Sequence, residues 1–259
     1  MALLSAETSD LRVAKALLEN PGLAAKISNL VGTPLEKGFK MLPESWNEFV
    51  IGATRTSIEK ALDIALLTMD REGRVPASNW WHKLAVGATG ATGGAFGLPA
   101  LAIELPVSTA IMLRSIADIA RSEGEDLRLP DARLQCLQVL ALGGKSKNDD
   151  GTETGYFAAR TALAMAVSEA AAHLAKKGMS KSGAPAIVRL ITLVASRFSI
   201  VVSEKAAAQA VPVVGAFSGA AINTLFIEHF QNMGRGHFIV RRLERLHGQD
   251  EVRRLYEEL

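Results

Sequence analysis

Two long stretches of this 259-residue chain carry no charge: twenty residues at 84–103 and twenty-two at 206–227. Each is long enough to cross a bilayer. Both are rich in alanine and glycine and poor in the leucine and phenylalanine that favour insertion, and Glu104 and Pro106 follow the first run at once. Within the first run, residues 87–99 read GATGATGGAFGLP, with five glycines. A dinucleotide loop needs glycines at relative positions one, three and six after a strand; Gly87, Gly90, Gly93, Gly94 and Gly97 do not supply that spacing. Gly144-Lys145-Ser146 ends like a phosphate loop but has Val139 where the first glycine should stand. The remaining use is packing. Gly90 and Gly94, like Gly93 and Gly97, lie four apart on one helix face, where a second backbone can approach closely. That approach must offset about 1 kcal/mol of helix propensity per glycine. Gly215 and Gly219 serve the second run in the same way, and a seam that opens would present these faces to lipid.

Helical periodicity governs the rest. Aromatic residues make up 5% of the chain against 48% apolar overall, which suits close-packed helices better than a β-sandwich. Ser9 is expected to cap a first helix that stops near Pro21-Gly22, with a loop around Gly32-Thr33-Pro34. Helices are predicted over 44–70, over 98–121 with a kink or break at Pro106, and from Pro130-Asp131 to Gly143-Gly144. Another covers 156–177. In 187–205 the polar residues Arg189, Thr192, Ser196, Ser199 and Ser203 form a narrow stripe, so that helix is predicted to be buried on most of its surface. The expected architecture is an all-α bundle of long helices with glycine-rich hairpins. It forms one domain: N-terminal helices at 1–76, a first glycine-rich lobe at 77–142, a polar linker at 143–155 and a second lobe at 156–259. A weak internal match (Gly94-Ala95-Phe96 with Gly215-Ala216-Phe217, and IARSEGED at 119–126 with LERLHGQD at 243–250) suggests two pseudo-repeated halves.

Groups that could do chemistry are few. The formal charge of +2 argues against a nucleic-acid partner, and a single cysteine, Cys136, argues against disulfides or a cysteine-rich metal site. The histidines His82, His173, His229, His237 and His247 are scattered without ligand spacing, so no metal and no cofactor are expected. Glu104, Arg114 and Asn223 each interrupt an apolar stretch and are candidates for a polar cavity, where a buried carboxylate needs a partner. Glu104 and Arg114, with Glu228 and His229, could alternatively furnish a hydrolase site. From 235 to 254 there are six arginines; Arg235, Arg241, Arg242 and Arg245, beside the apolar line Ile239, Leu243 and Leu246, are candidates for contact with an anionic surface. The N-terminus carries Glu7 and Asp10 and no basic region before a long apolar core, so a cytoplasmic location is expected.

Three segments carry a family resemblance: KLAVGATGATGGAFGLPALAIELP with RSIADIARSEGEDL and RLQCLQVLALGG, then PVVGAFSGAAINTLFIEHF, then HFIVRRLERLHGQDEVRRLYEEL. Together they resemble the EcsC protein family over most of the chain after Asn79. The resemblance implies a bacterial protein without an established catalytic mechanism, from a family named after a protein associated with an ABC exporter. Some relatives carry a protease label, but no protease motif stands here. The expectation is therefore a non-catalytic, cytoplasmic protein peripheral on the inner face of the membrane. It would bind an anionic lipid surface or a membrane-protein partner such as a transporter, with a hydrolase as the alternative.

Overall fold

The computed structural model describes residues 5–19, 22–31, 34–68, 97–143, 155–177, 184–210 and 216–259. Among the described residues the protein is all-helical, with ten helices and no strand. They are α1 (Ser5–Glu19), α2 (Leu23–Val31), α3 (Leu35–Met41), α4 (Trp46–Thr68) and α5 (Gly97–Ser122). The second series is α6 (Pro130–Leu142), α7 (Gly155–Lys177), α8 (Pro185–Gln209), α9 (Ala216–His247) and α10 (Gln249–Glu258). The glycine seam expected at Gly87, Gly90, Gly93, Gly94 and Gly215 lies outside the described residues, as does most of the linker. Gly97 and Gly219 fall in the first turns of α5 and α9.

The bundle is organised around α6. Ten consecutive residues, Ala132 to Ala141, are buried, so this helix has no solvent face. It packs on α4, α5, α7, α8 and α9. Its first-turn proline and the acidic Asp131 start it where the N–H groups have no helical partner and where negative charge is favoured. The principal core runs from Leu23 through Phe238, so residues before and after the linker region share one interior. On α8, Arg189, Thr192 and Ser196 are exposed and Ser199 and Ser203 half-buried, while twelve residues on the other faces are buried, in agreement with the polar stripe.

Three contacts fix the direction of α9, the longest helix at 32 residues. Asn223 and Glu104 share a partner, Gln231 Nε2 donates to Ser115 Oγ at 2.8 Å, and Arg241 Nε donates to Glu125 Oε1 at 2.7 Å. Both numberings rise together, so α5 and α9 run parallel and both start at the same end of the bundle. Ring contacts of Phe198 with Phe226 and Phe230, together with Lys205 against Asn223, set α8 antiparallel to α9.

Several sequence expectations need correction. The first helix begins at Ser5, with Ser9 inside it. Two short helices, α2 and α3, fill a stretch left unassigned. Pro106 sits inside α5 without ending it. The basic C-terminal segment is two helices, broken at Gly248, whose φ of 89° closes α9 with a bond from its N–H to Glu244 O. Leu246 is 63% exposed, so the Ile239–Leu243–Leu246 line does not dock as a unit. Instead α10 buries Val252 and Tyr256, the latter against Tyr156 and Phe157. Gly124 (φ 80°) ends α5, with Glu125 N–H bonding Ala120 O and Gly124 N–H bonding Arg121 O. The matched segments 119–126 and 243–250 thus each place a glycine where a helix C-terminus needs a left-handed residue.

Close helix contacts occur at glycines outside the uncharged runs. A Cβ on Gly38 of α3 would stand 2.0 Å from Ala207 O on α8, and one on Gly236 of α9 would stand 2.6 Å from Leu18 Cγ and 3.0 Å from Ala14 O on α1. Gly52 on α4 has open space around it. Gly38→Ala is therefore expected to cost about 3 kcal/mol through forced separation of two backbones. Gly52→Ala should raise stability by about 0.5–1 kcal/mol through helix propensity. Chemical denaturation of the two variants checks this; equal effects would contradict it.

Candidate functional site

The strongest concentration of unusual chemistry is at the end of the bundle where α5 and α9 begin and α8 finishes. Lys205 of α8 is fully buried, and its ammonium donates to Glu104 Oε1 at 2.6 Å and to Asn223 Oδ1 at 2.9 Å. The same nitrogen lies 4.5 Å from the centroid of the Phe226 ring. The ammonium's donor directions are thus met by a carboxylate, an amide oxygen and an aromatic face. Burial pulls the lysine below its ordinary pKa, and the adjacent Glu104 charge opposes that pull. Glu104 itself is 34% exposed, so one side of the pair faces water.

Glu104 and Asn223 were candidates on sequence; Lys205 was not. It follows the polar stripe and reads as a helix-end lysine reaching solvent. The signal was present in the period: Lys205 stands two residues, about 200° of helix, from Ser203, which places it on the opposite, buried face.

The other sequence candidates do not join this cluster. Arg114 lies ten residues along α5, about 15 Å by helical rise, and is half-buried. Glu104 is committed to Lys205 rather than to Arg114. Glu228 points outward, while His229 is buried, its Nε2 3.1 Å from Gly143 O at the end of α6. A carbonyl partner requires that nitrogen to be the donor, and burial depresses the ring's pKa to about 4, which keeps it neutral at pH 7. Glu104, Arg114, Glu228 and His229 do not converge on one cavity.

Three of the four candidate arginines are spent inside the protein. Arg241 meets Glu125 at 2.7 Å and Asp131 at 3.3 Å, and Arg245 also bonds Glu125. Arg242 bonds Asp10 at 2.8 Å, and its Nε lies 2.9 Å from Glu123 in an ion pair without hydrogen-bond alignment. The acids come from α1, the α5–α6 turn and the first turn of α6, none of which the sequence pattern pairs with the arginine run. Arg235 differs: it is exposed, has no ion pair among the described residues, and lines an open groove whose walls mix apolar Val13, Leu17, Ile119 and Ile239 with acidic Asp118 and Glu123.

A second buried polar system is complete in itself. Tyr156 OH donates to His237 Nδ1 at 3.0 Å, and His237 Nε2 donates to Gln135 Oε1 at 3.2 Å. Arg160 donates to Tyr156 OH and holds Glu244 through two bonds of 2.7 and 2.9 Å. Burial, then the charges of Arg160 and Arg241, keep His237 well below its ordinary pKa. This system joins α6, α7 and α9. Among the described residues no group of three or more His, Cys, Asp or Glu is placed to hold a metal.

The architecture and site thus define an all-helical protein with an inward-turned charge network and a buried lysine–glutamate pair, without an assembled catalytic constellation among the described residues. Residues 8–243, nearly the whole chain, match the EcsC protein family, and the protein belongs to that family. No curated protein and no solved structure matches it.

Two expected outcomes follow from the geometry. Removing Glu104 leaves an ammonium buried without its carboxylate, whereas removing Lys205 leaves a carboxylate that can turn to water. Glu104→Gln should cost about 2–3 kcal/mol and Lys205→Met no more than about 1 kcal/mol, by denaturant titration. The pH profile provides the second. Glu204, facing the Ala24 N–H in the first turn of α2, is raised by burial from 4.5 to about 7. The folded state therefore keeps a proton that the unfolded state has lost, and stability falls as pH rises through that window. His229 acts oppositely: the unfolded chain takes up a proton below 6.5 that the folded ring accepts only near 4, so stability falls as pH drops. Glu204→Gln should flatten the alkaline side, exceeding the parent protein by about 2 kcal/mol at pH 8 and matching it at pH 4.5, by thermal melts across that range.

Proposed function

We propose that this protein is a non-catalytic, membrane-associated lipid-binding protein that engages the bilayer, or a membrane-embedded partner, with the end of the bundle built by the starts of α5 and α9 and the close of α8. The observation that carries this reading is the Lys205–Glu104–Asn223 cluster, set where both uncharged runs enter the fold. Charged groups within apolar segments persist when they are paired with one another. Two further features support it. Helix α8 is long and apolar enough to cross a membrane, with 44% of its most apolar stretch buried within the protein. Ile103, beside Glu104, is 77% exposed.

The internal commitment of Arg241, Arg242 and Arg245 shifts the weight of the proposal. Binding rests on apolar contact at that end of the bundle, since Arg235 lies twelve residues beyond Asn223 on α9, about 18 Å away by helical rise. The hydrolase alternative has no assembled geometry to support it.

Vesicle flotation tests this. The protein is expected to float with vesicles of phosphatidylethanolamine and phosphatidylglycerol. Raising salt from about 0.1 M to about 1 M, which shortens the screening length from about 10 Å to about 3 Å, should change the bound fraction less than about twofold. No flotation at either salt, or binding abolished by salt, overturns the reading.

A further inference from the structure

The cluster at Lys205 also has the mechanical parts of a latch. Pro106 has no N–H to give Ala102 O, so the helical ladder of α5 is interrupted two residues after Glu104. The part of α5 ahead of the proline therefore lacks one of the bonds that would make it move with the rest of the helix. Its described side chains hold it down in two ways. Leu101 and Leu105 are buried, and Glu104 crosses to Lys205 on α8. Ala102 and Ile103 face outward. Leu101 and Leu105 belong to the principal apolar core, as do Ile222 and Phe226 of α9 and Ala206 to Ala208 of α8.

We propose that Glu104, Lys205 and Asn223 form a latch that holds the start of α5 against α8 and α9, and that this segment swings on Pro106 when the latch opens, uncovering the apolar surface beneath it. The two partners are suited to reversible opening because they differ in exposure. Glu104 is partly hydrated in the closed state, so water can replace the lysine at its carboxylate. Lys205, fully buried and bonded to Asn223 on the neighbouring helix, stays behind as the fixed half. The lipid-binding consequence rests on the function proposed above, whereas the motion itself does not.

Hydrogen exchange of the full-length protein, read by mass spectrometry, tests the motion. Glu104→Gln should speed exchange at 101–105 by about tenfold or more and leave 110–122 and the middle of α9 unchanged, as expected for a local opening. Replacing both partners, Glu104→Met with Lys205→Met, should restore protection, since two apolar groups need no pairing. In the otherwise native chain, Pro106→Ala should slow exchange at 101–105 by rejoining the ladder. Uniform acceleration through α5 and α9, acceleration retained in the double variant, or no effect of Pro106→Ala overturns the latch. Flotation of the Glu104→Gln variant separates the two proposals. Increased vesicle binding supports both, while local opening without vesicle binding leaves the latch standing and removes the membrane reading.

Discussion

A helix with no solvent face imposes the central constraint on this protein. Ala132 to Ala141 are buried throughout, and three of those residues, Arg133, Gln135 and Gln138, are polar. A buried polar group without a partner costs about 1–3 kcal/mol, and a charged one more, so the surrounding helices must supply partners. Arg133 donates to the carbonyls of Leu66, Leu127 and Arg128, joining the end of α4 and the α5–α6 turn to the start of α6. Gln135 receives the His237 ring, which fixes the height of α9. Arg197 of α8 donates to Ala141 O at the other end. The placement of three helices and one turn follows from these bonds to α6.

The same requirement explains why the arginine-rich part of α9 turns inward. The α5–α6 turn brings Glu123 and Glu125, and the first turn of α6 brings Asp131, to the side of α9, and α1 brings Asp10. Glu125 is only 6% exposed and Asp131 50%, so the pairs span the range from desolvated to hydrated. The exposed ones contribute little to stability, while the shielded Arg241–Glu125 and Arg160–Glu244 pairs chiefly fix register, because an alternative packing would strand a charge. A segment whose composition suggests an anionic surface instead carries its own counter-charges elsewhere in the chain.

Against this background the Lys205 cluster is distinctive. The arginines pair among many polar neighbours near the far end of α5 and α9; Lys205 pairs within an apolar environment where both uncharged runs enter. It is the place where the sequence breaks its own pattern, and such places are where function is expected to sit.

Much was legible before the fold. Helical period, proline at first turns and glycine at ends located α4, α5, α6, α7 and α8 to within a few residues, because these signals act over one or two turns and owe little to distant chain. The isolation of Glu104 and Asn223 among apolar residues marked them as groups needing partners, since the cost of burying them is a property of the residues themselves. Which partners they find is not local. Lys205 is 101 residues from Glu104, and Glu125 is 116 from Arg241, so only the packing of helices decides that they meet. The break at Gly248, the inward turn of Leu243 with Leu246 left outside, and the close crossings at Gly38 and Gly236 likewise depend on which backbone arrives opposite. Sequence alone determined that this chain would be helical and which groups could not remain unpaired. The tertiary structure decided the pairings, because electrostatic and steric complementarity exist only between surfaces already brought together.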